Sequence, residues 1–169
     1  MNKLKVILRA MEPEDLDVLY QIENDVSLWD VGVVNVPYSR YVLRDYISRA
    51  SGDAYADGQV RLMVENTEGG VVGIADLVNF DARNRKAEVG IVVQNKYRHQ
   101  GYATEALSSL ADYARRILHI HQLYAFVDSS NASSKGLFTK LGYQKIAELP
   151  DWLYDGETYH QAVLFTKNI

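Results

Sequence analysis

The chain has 169 residues, 47% of them apolar and 24% charged, which fits one ordinary globular domain and excludes a disordered tail or a fibrous repeat. Its formal charge of −4 argues against bulk nucleic-acid binding, which needs a dense basic field. Cysteine is absent, which removes disulfides, thiolate metal sites and a cysteine nucleophile; no apolar run nears the roughly 20 residues of a membrane span, so a soluble cytoplasmic protein is expected by elimination.

Lys3 to Ala10 reads as a strand with Leu4, Val6 and Leu8 on one face. Glu12-Pro13-Glu14-Asp15 starts a helix, because proline is tolerated where its missing N–H has no partner and the acids suit the dipole. An apolar stripe of Leu16, Leu19, Tyr20 and Ile22 carries it to about Asn24. Asp25 to Pro37 is irregular. A second helix is expected from Ser39, turning Tyr41 or Val42, Tyr46 and Ile47 inward, until Gly52 to Gly58 breaks it.

The period then changes. Val60 to Val64 and Val71 to Phe80 form a hairpin about the turn Asn66–Gly70. In Lys86 to Val93, Ala87, Val89, Ile91 and Val93 share one face, and Glu88, Gly90 and Val92 the other. Ala103, Leu107, Leu110, Ala111, Ala114, Ile117 and Leu118 recur at helical spacing. Gln122 to Val127 is a short strand, Asn131 to Leu141 a compact helix stopped by Gly142. Tyr143 to Leu149 and Thr158 to Thr166 are two strands joined through Pro150 to Gly156. Helices among strands, without linker or repeat, indicate a mixed α/β domain.

One junction has a chemical reason to exist. Arg98-His99-Gln100-Gly101-Tyr102-Ala103 lies between a strand and the strongest helix, where N–H groups without internal acceptors can hold an anion. Gly101 permits a close turn around a phosphate, and Arg98 offers a charge-assisted contact; the plain alternative is a glycine that merely serves the turn. The chain has no G-x-x-x-x-G-K-[S/T] and no G-x-G-x-x-G after its first strand. His99, His119, His121 and His160 form no H-x-x-x-H pair, so no metal is expected.

Gln94 to Leu107, QNKYRHQGYATEAL, resembles the coenzyme-A motif of the GNAT N-acetyltransferase superfamily. Asn131 to Tyr143, NASSKGLFTKLGY, resembles its second conserved region, and Trp152 to Phe165 is similar to the tail of the branch holding spermidine and ribosomal-protein alanine acetyltransferases. The resemblance implies a GNAT fold: a mostly antiparallel twisted sheet of six to seven strands with a splayed parallel pair, flanked by about four helices. It implies one acetyltransferase domain over 1–169, with acceptor-side helices in 1–58, a cofactor core in 59–130 and a final helix and strand pair in 131–169.

The implied activity is direct transfer from acetyl-CoA to a primary amine, of a polyamine or of a protein or peptide, in a ternary complex. By the same resemblance Arg98, His99, Gln100, Gly101, Tyr102 and Ala103 seat the coenzyme-A diphosphate. The backbone of Ile91 and Val93 pairs with the pantetheine arm, and Asn131 contacts that arm, although Asn131 is equally placed to cap its helix. Neither DNA nor a membrane is an expected partner, and a homodimer is left open.

A primary amine with a pKa of about 10.4 is only about 0.1% neutral near pH 7.4, so its deprotonation matters. Glu88, where the resembled enzymes often carry Glu, is the candidate base, against a solvent-facing or salt-bridged alternative. The family's thiolate-protonating tyrosine is here Phe138, which has no proton to give. That departure supports the rival reading, a non-catalytic coenzyme-A-binding module of the same fold. Glu12, Glu14, Asp15, Asp17, Glu23, Asp25 and Asp30 give the first 60 residues an acidic bias, either a rim that steers cations or a solvated face. Trp29, Tyr38, Tyr41, Trp152 and Tyr154 are candidates for pocket, core or, for the last two, a dimer surface.

Overall fold

Seven strands are hydrogen-bonded into one sheet in the computed structural model, which describes residues 6–31 and 36–169. They are β1 (Val6–Arg9), β2 (Val60–Asn66), β3 (Val71–Asp81), β4 (Lys86–Val93), β5 (Gln122–Asp128), β6 (Gln144–Tyr154) and β7 (Tyr159–Asn168), in the order β1-β2-β3-β4-β5-β7-β6. The α-helices are α1 (Leu16–Glu23), α2 (Arg40–Ser48), α3 (Ala54–Asp57), α4 (Tyr102–Arg116) and α5 (Ala132–Lys140). None of them is long and apolar enough to cross a membrane.

Strand alternation divides the core between the two faces of the sheet. Val64, Ala75, Leu77, Ala87, Val89, Leu123 and Phe165 pack on one face beneath α4 and α5. There α4 buries Leu107, Leu110 and Ala114 of the expected stripe together with Ala106, which the spacing did not single out, while Ile117 is exposed; each leucine contributes about 1.5–3 kcal/mol. Met63 and Ile74, one residue out of phase, face the other way and meet Leu19 and Ile22 of α1, Leu28, and Leu43 of α2.

Arg61 fixes that second layer. Its guanidinium grips Asp76 of β3 through two 2.9 Å bonds, pairs with Glu23 of α1 and lies 5.6 Å from the Tyr46 ring centroid of α2. Arg9 of β1 does the same toward the other end of β2, joining Glu65 to Asp15.

The structure corrects several expectations. Leu43 is the buried residue of α2, while Tyr41 and Val42 are exposed. Gly52 to Gly58 holds one further helical turn, α3, whose cap Asp53 accepts from the N–H groups of Tyr55 and Ala56. Strand β6 does not stop at Leu149 but runs past Pro150 to Tyr154, with its register shifted between Leu149 and Leu153. Among the described strands it is an edge strand paired only with β7, so the missing N–H of Pro150 breaks no central ladder. Leu4 and most of the run Val31 to Val36 lie outside the described residues, as do the side chains of Trp29 and Asp30.

Three of the seven acids near the amino terminus are engaged in ion pairs: Asp15 with Arg9, Asp17 with Arg40 and Glu23 with Arg61. Tyr38 is held by its backbone, which exchanges two hydrogen bonds with the Asn24 amide.

Candidate active site

Strands β4 and β5 are the one parallel pair among the described strands, and they separate almost at once. Lys86, Ala87 and Glu88 pair with Gln122, Leu123 and Tyr124; beyond that rung no pairing continues between them. On its other edge β4 stays in register with β3 up to Gly73↔Val93. Gly73 is required there: a Cβ would stand 2.1 Å from the Val92 carbonyl oxygen. The cleft between the diverging strands encloses about 610 Å³, within the range of small-ligand sites.

At the mouth of this cleft α4 begins. His99 and Gly101 have φ of 59° and 90°, so two left-handed residues fold the loop before the helix. Such a turn directs successive N–H groups to one side, making a concavity for an anion. Gly101 is the cap and has no side chain to close it, and the Glu105 N–H donates to the Gly101 carbonyl to open the helix. The opening N–H groups of α4 are therefore presented to the cleft with the positive end of the helix dipole.

Of the residues expected from the sequence, Glu88, Ile91, Val93, Arg98, His99, Gly101, Ala103 and Asn131 all line this cleft. Gln100 and Tyr102 do not line it with the rest: the Gln100 amide donates to the Lys96 carbonyl, and the Tyr102 ring packs edge-on against Tyr97 at 5.9 Å. The Val93 carbonyl already accepts from Arg98 Nε at 3.2 Å, so a strand-like ligand pairing there must move that side chain. Asn131 caps α5 by accepting from Ser134 N–H at 3.0 Å, which engages its Oδ1 and leaves its N–H pair for the cleft.

Glu88 is half-buried, and its Oε2 accepts from Asn79 Nδ2 at 2.7 Å. Asn79 sits at φ 52°, inside the register shift between Val78 and Asp81, a left-handed conformation that asparagine tolerates better than most residues. Tyr124 stands opposite Glu88; burial, reinforced by the Glu88 and Asp81 charges, pushes its phenol up.

Phe138 lines the cleft and belongs to the core at once, with ring centroids 5.0 Å from Tyr143 and 5.9 Å from Phe165. Tyr143 is buried behind it; its hydroxyl has no hydrogen-bond partner among the described residues, and burial raises its pKa strongly. It is a core residue.

Sequence reasoning missed Phe126 and Asp128, which line the cleft from the face of β5 opposite Leu123, Ala125 and Val127. The alternation of β5 was a signal for them, but pairing with a cleft across the sheet was not. Trp152 closes that side, its ring 5.6 Å from Phe126.

The acetyltransferase (GNAT) domain family matches residues 5–144. The chain belongs to the GNAT acetyltransferase family. It is 30% identical over 159 residues to the spermidine N(1)-acetyltransferase of Escherichia coli (strain K12), covering 94% of this chain and 83% of that one. Over another 159-residue alignment it is 23% identical to the Vibrio cholerae spermidine N(1)-acetyltransferase, covering 92% and 88%. The crystal structure of spermidine N-acetyltransferase from Vibrio cholerae with CoA and spermine superposes with a TM-score of 0.86 at 21% identity, covering 96% of this chain and 95% of that one. These matches establish an acyl-CoA-dependent acetyltransferase and remove the non-catalytic reading that Phe138 supported.

Proposed function

We propose that this enzyme transfers the acetyl group of acetyl-CoA directly to a primary amine of an aliphatic polyamine, in a ternary complex within the β4–β5 cleft. The observation that carries this reading is the separation of β4 from β5 immediately after Glu88, beside the start of α4, whose cap Gly101 has no side chain. That arrangement offers a donor-rich anion seat, a slot for an extended arm and a carboxylate at the slot's narrow end. The polyamine acceptor is supported by the spermidine acetyltransferases that the chain resembles.

In this scheme the N–H groups around Gly101 and Ala103 hold the diphosphate, with Arg98 adding charge. Ile91 and Val93 align the pantetheine arm, and the Asn131 amide donates to it. Glu88 takes the proton from the acceptor ammonium, directly or through a water, so that the neutral nitrogen attacks the thioester carbonyl. The nitrogen of the adduct gives its second proton to solvent, the carbon–sulfur bond breaks and the thiolate leaves. Phe138 donates nothing, so that sulfur is protonated by solvent or remains a thiolate. The absence of cysteine accords with direct attack rather than a cysteine-bound acyl intermediate.

The test is release of free thiol from acetyl-CoA with a panel of amines: a polyamine, a lysine-containing peptide and a peptide whose α-amine is free. Polyamine-dependent release supports the proposal. Release with peptide amines alone assigns the enzyme to protein substrates.

A further inference from the structure

Three residues that this reaction scheme leaves unused converge where β5 ends. His160 of β7 lies between two carboxylates, with Nε2 2.6 Å from Asp155 Oδ2 and Nδ1 3.3 Å from Asp128 Oδ2. Thr158 Oγ1 is 3.1 Å from Nε2. A neutral imidazole has one donor and one bare nitrogen, so only the imidazolium donates to both acids.

The two acids are held in place independently of His160. Asp155 Oδ1 accepts from the N–H groups of Glu157 and Thr158 at 2.8 and 2.7 Å. Asp128 Oδ1 accepts from Ser130 N–H and Oγ at 2.8 and 2.6 Å. The Oδ2 atom that meets His160 is thus the Asp128 oxygen those bonds leave over. Asp128 lines the cleft. The charged groups facing His160 among the described residues are Asp128 from β5 and Asp155 from the β6–β7 turn; hydrogen bonding to Asp155 and the Asp128 charge raise the imidazole pKa against partial burial.

Asp128 stands four residues beyond Tyr124, the partner of Glu88, or roughly 13 Å along β5 at about 3.3 Å per residue. The Phe126 and Trp152 rings lie between. The result is a trough with a carboxylate at each end and an aromatic wall, complementary to a flexible chain bearing two cationic nitrogens.

We propose that Asp128 receives a second ammonium group of the acceptor, and that His160 competes with that ammonium for it. This rests on the amine-acetylating reading of the cleft. When His160 is protonated its charge occupies Asp128; as pH rises and the proton leaves, the carboxylate turns to the acceptor. Preference for a polyamine over a monoamine therefore grows with pH. The requirement for a neutral attacking nitrogen applies to both amines and cancels in their ratio.

The experiment compares kcat/KM for spermidine and n-butylamine at saturating acetyl-CoA, from pH 6 to 8, in wild type, Asp128→Asn and His160→Gln, with thermal melting as the check on folding. Asp128→Asn is expected to raise KM for spermidine about tenfold, the order of one lost charge-assisted contact, leaving kcat and the n-butylamine constants nearly unchanged. His160→Gln is expected to abolish the rise of the spermidine to n-butylamine ratio with pH. Equal losses on both amines in Asp128→Asn, or an unchanged ratio, overturn the proposal. If no amine is acetylated the catalytic reading falls separately, and calorimetric binding of spermidine in the presence of CoA decides this one: about tenfold weaker binding to Asp128→Asn supports it, and equal binding overturns it.

Discussion

Glu88 and Tyr124 form the last paired rung between β4 and β5, and the cleft begins at the next residue. A carboxylate at that position is fixed by sheet hydrogen bonds on one side and meets the ligand space on the other. Replacing it isolates proton removal from cofactor binding, since the diphosphate seat lies at the opposite end of β4. Glu88→Gln should lower kcat by about 10²–10⁴-fold, the usual contribution of a general base. Acetyl-CoA affinity, measured by calorimetry, should stay as in wild type. The deficit should shrink toward alkaline pH, where more of the amine is already neutral.

Asn79 aims that carboxylate. Its amide donates 2.7 Å to Glu88 Oε2 from a left-handed backbone position. Asn79→Gly keeps the backbone conformation accessible while deleting the amide, and is the cleaner probe than alanine. Turnover should fall, by less than in Glu88→Gln, with the melting temperature and acetyl-CoA affinity little changed. Asn79→Ala should show the same kinetic defect plus a lower melting temperature from the strained φ.

Gly101 combines two demands, a φ of 90° and an uncovered approach to the first N–H groups of α4. A β-branched side chain meets neither. Gly101→Val should cost about 1–2 kcal/mol of stability from the backbone alone, too little to unfold an ordinary domain. Acetyl-CoA binding should be lost while circular dichroism remains native. Wild-type affinity in this variant would place the diphosphate elsewhere.

Periodicity was enough to find α4, which repeats apolar residues every three or four positions, and β4 and β5, which alternate, and the phosphate loop was legible because glycine and helix start are local features. What was hidden is long-range. Nothing local says that β5 pairs with β7 so that Asp128 aligns with Ala162, which is what brings His160 within reach of Asp128. Pro150 reads as a strand end unless β6 is known to be an edge. Leu43 was overlooked in favour of its neighbours because a helix face is chosen by where α1 and Met63 lie, not by the residue's own spacing.

Phe138 fills core space while one part of its ring lines the cleft. Phe138→Tyr adds a hydroxyl that is tolerated only if it points toward that space, since an unsatisfied buried hydroxyl costs about 1–3 kcal/mol. The expected result is a fold of near wild-type stability and a higher kcat, the new phenol supplying the proton that the departing sulfur otherwise takes from solvent. Phe138→Leu should lower stability through lost ring packing without a change in the pH profile of turnover.

Asp15 couples the amino-terminal layer to pH. It is 6% exposed and accepts two bonds from Arg9, at 2.7 and 2.9 Å, and one from Glu12 N–H at 2.8 Å. Hydrogen bonding to Arg9 leads in holding its carboxyl below the usual carboxylate range, burial opposing it and the Glu12 N–H adding to it. A carboxyl with a lowered native pKa contributes stability that is fully present above its unfolded value, about 3.9, and disappears as pH falls through the native one. Because Arg9 also holds Glu65, loss of the Asp15 charge loosens the tie between β1, β2 and the start of α1. Asp15→Asn should destabilise by about 2 kcal/mol at neutral pH, as a partly buried pair broken on one side. In urea unfolding from pH 7 to pH 2.5, the gap between wild type and Asp15→Asn should hold constant above about pH 5 and close below pH 4, where wild type loses the same charge. A gap that stays constant to the lowest pH would mean that the carboxylate's charge contributes nothing and only its shape matters.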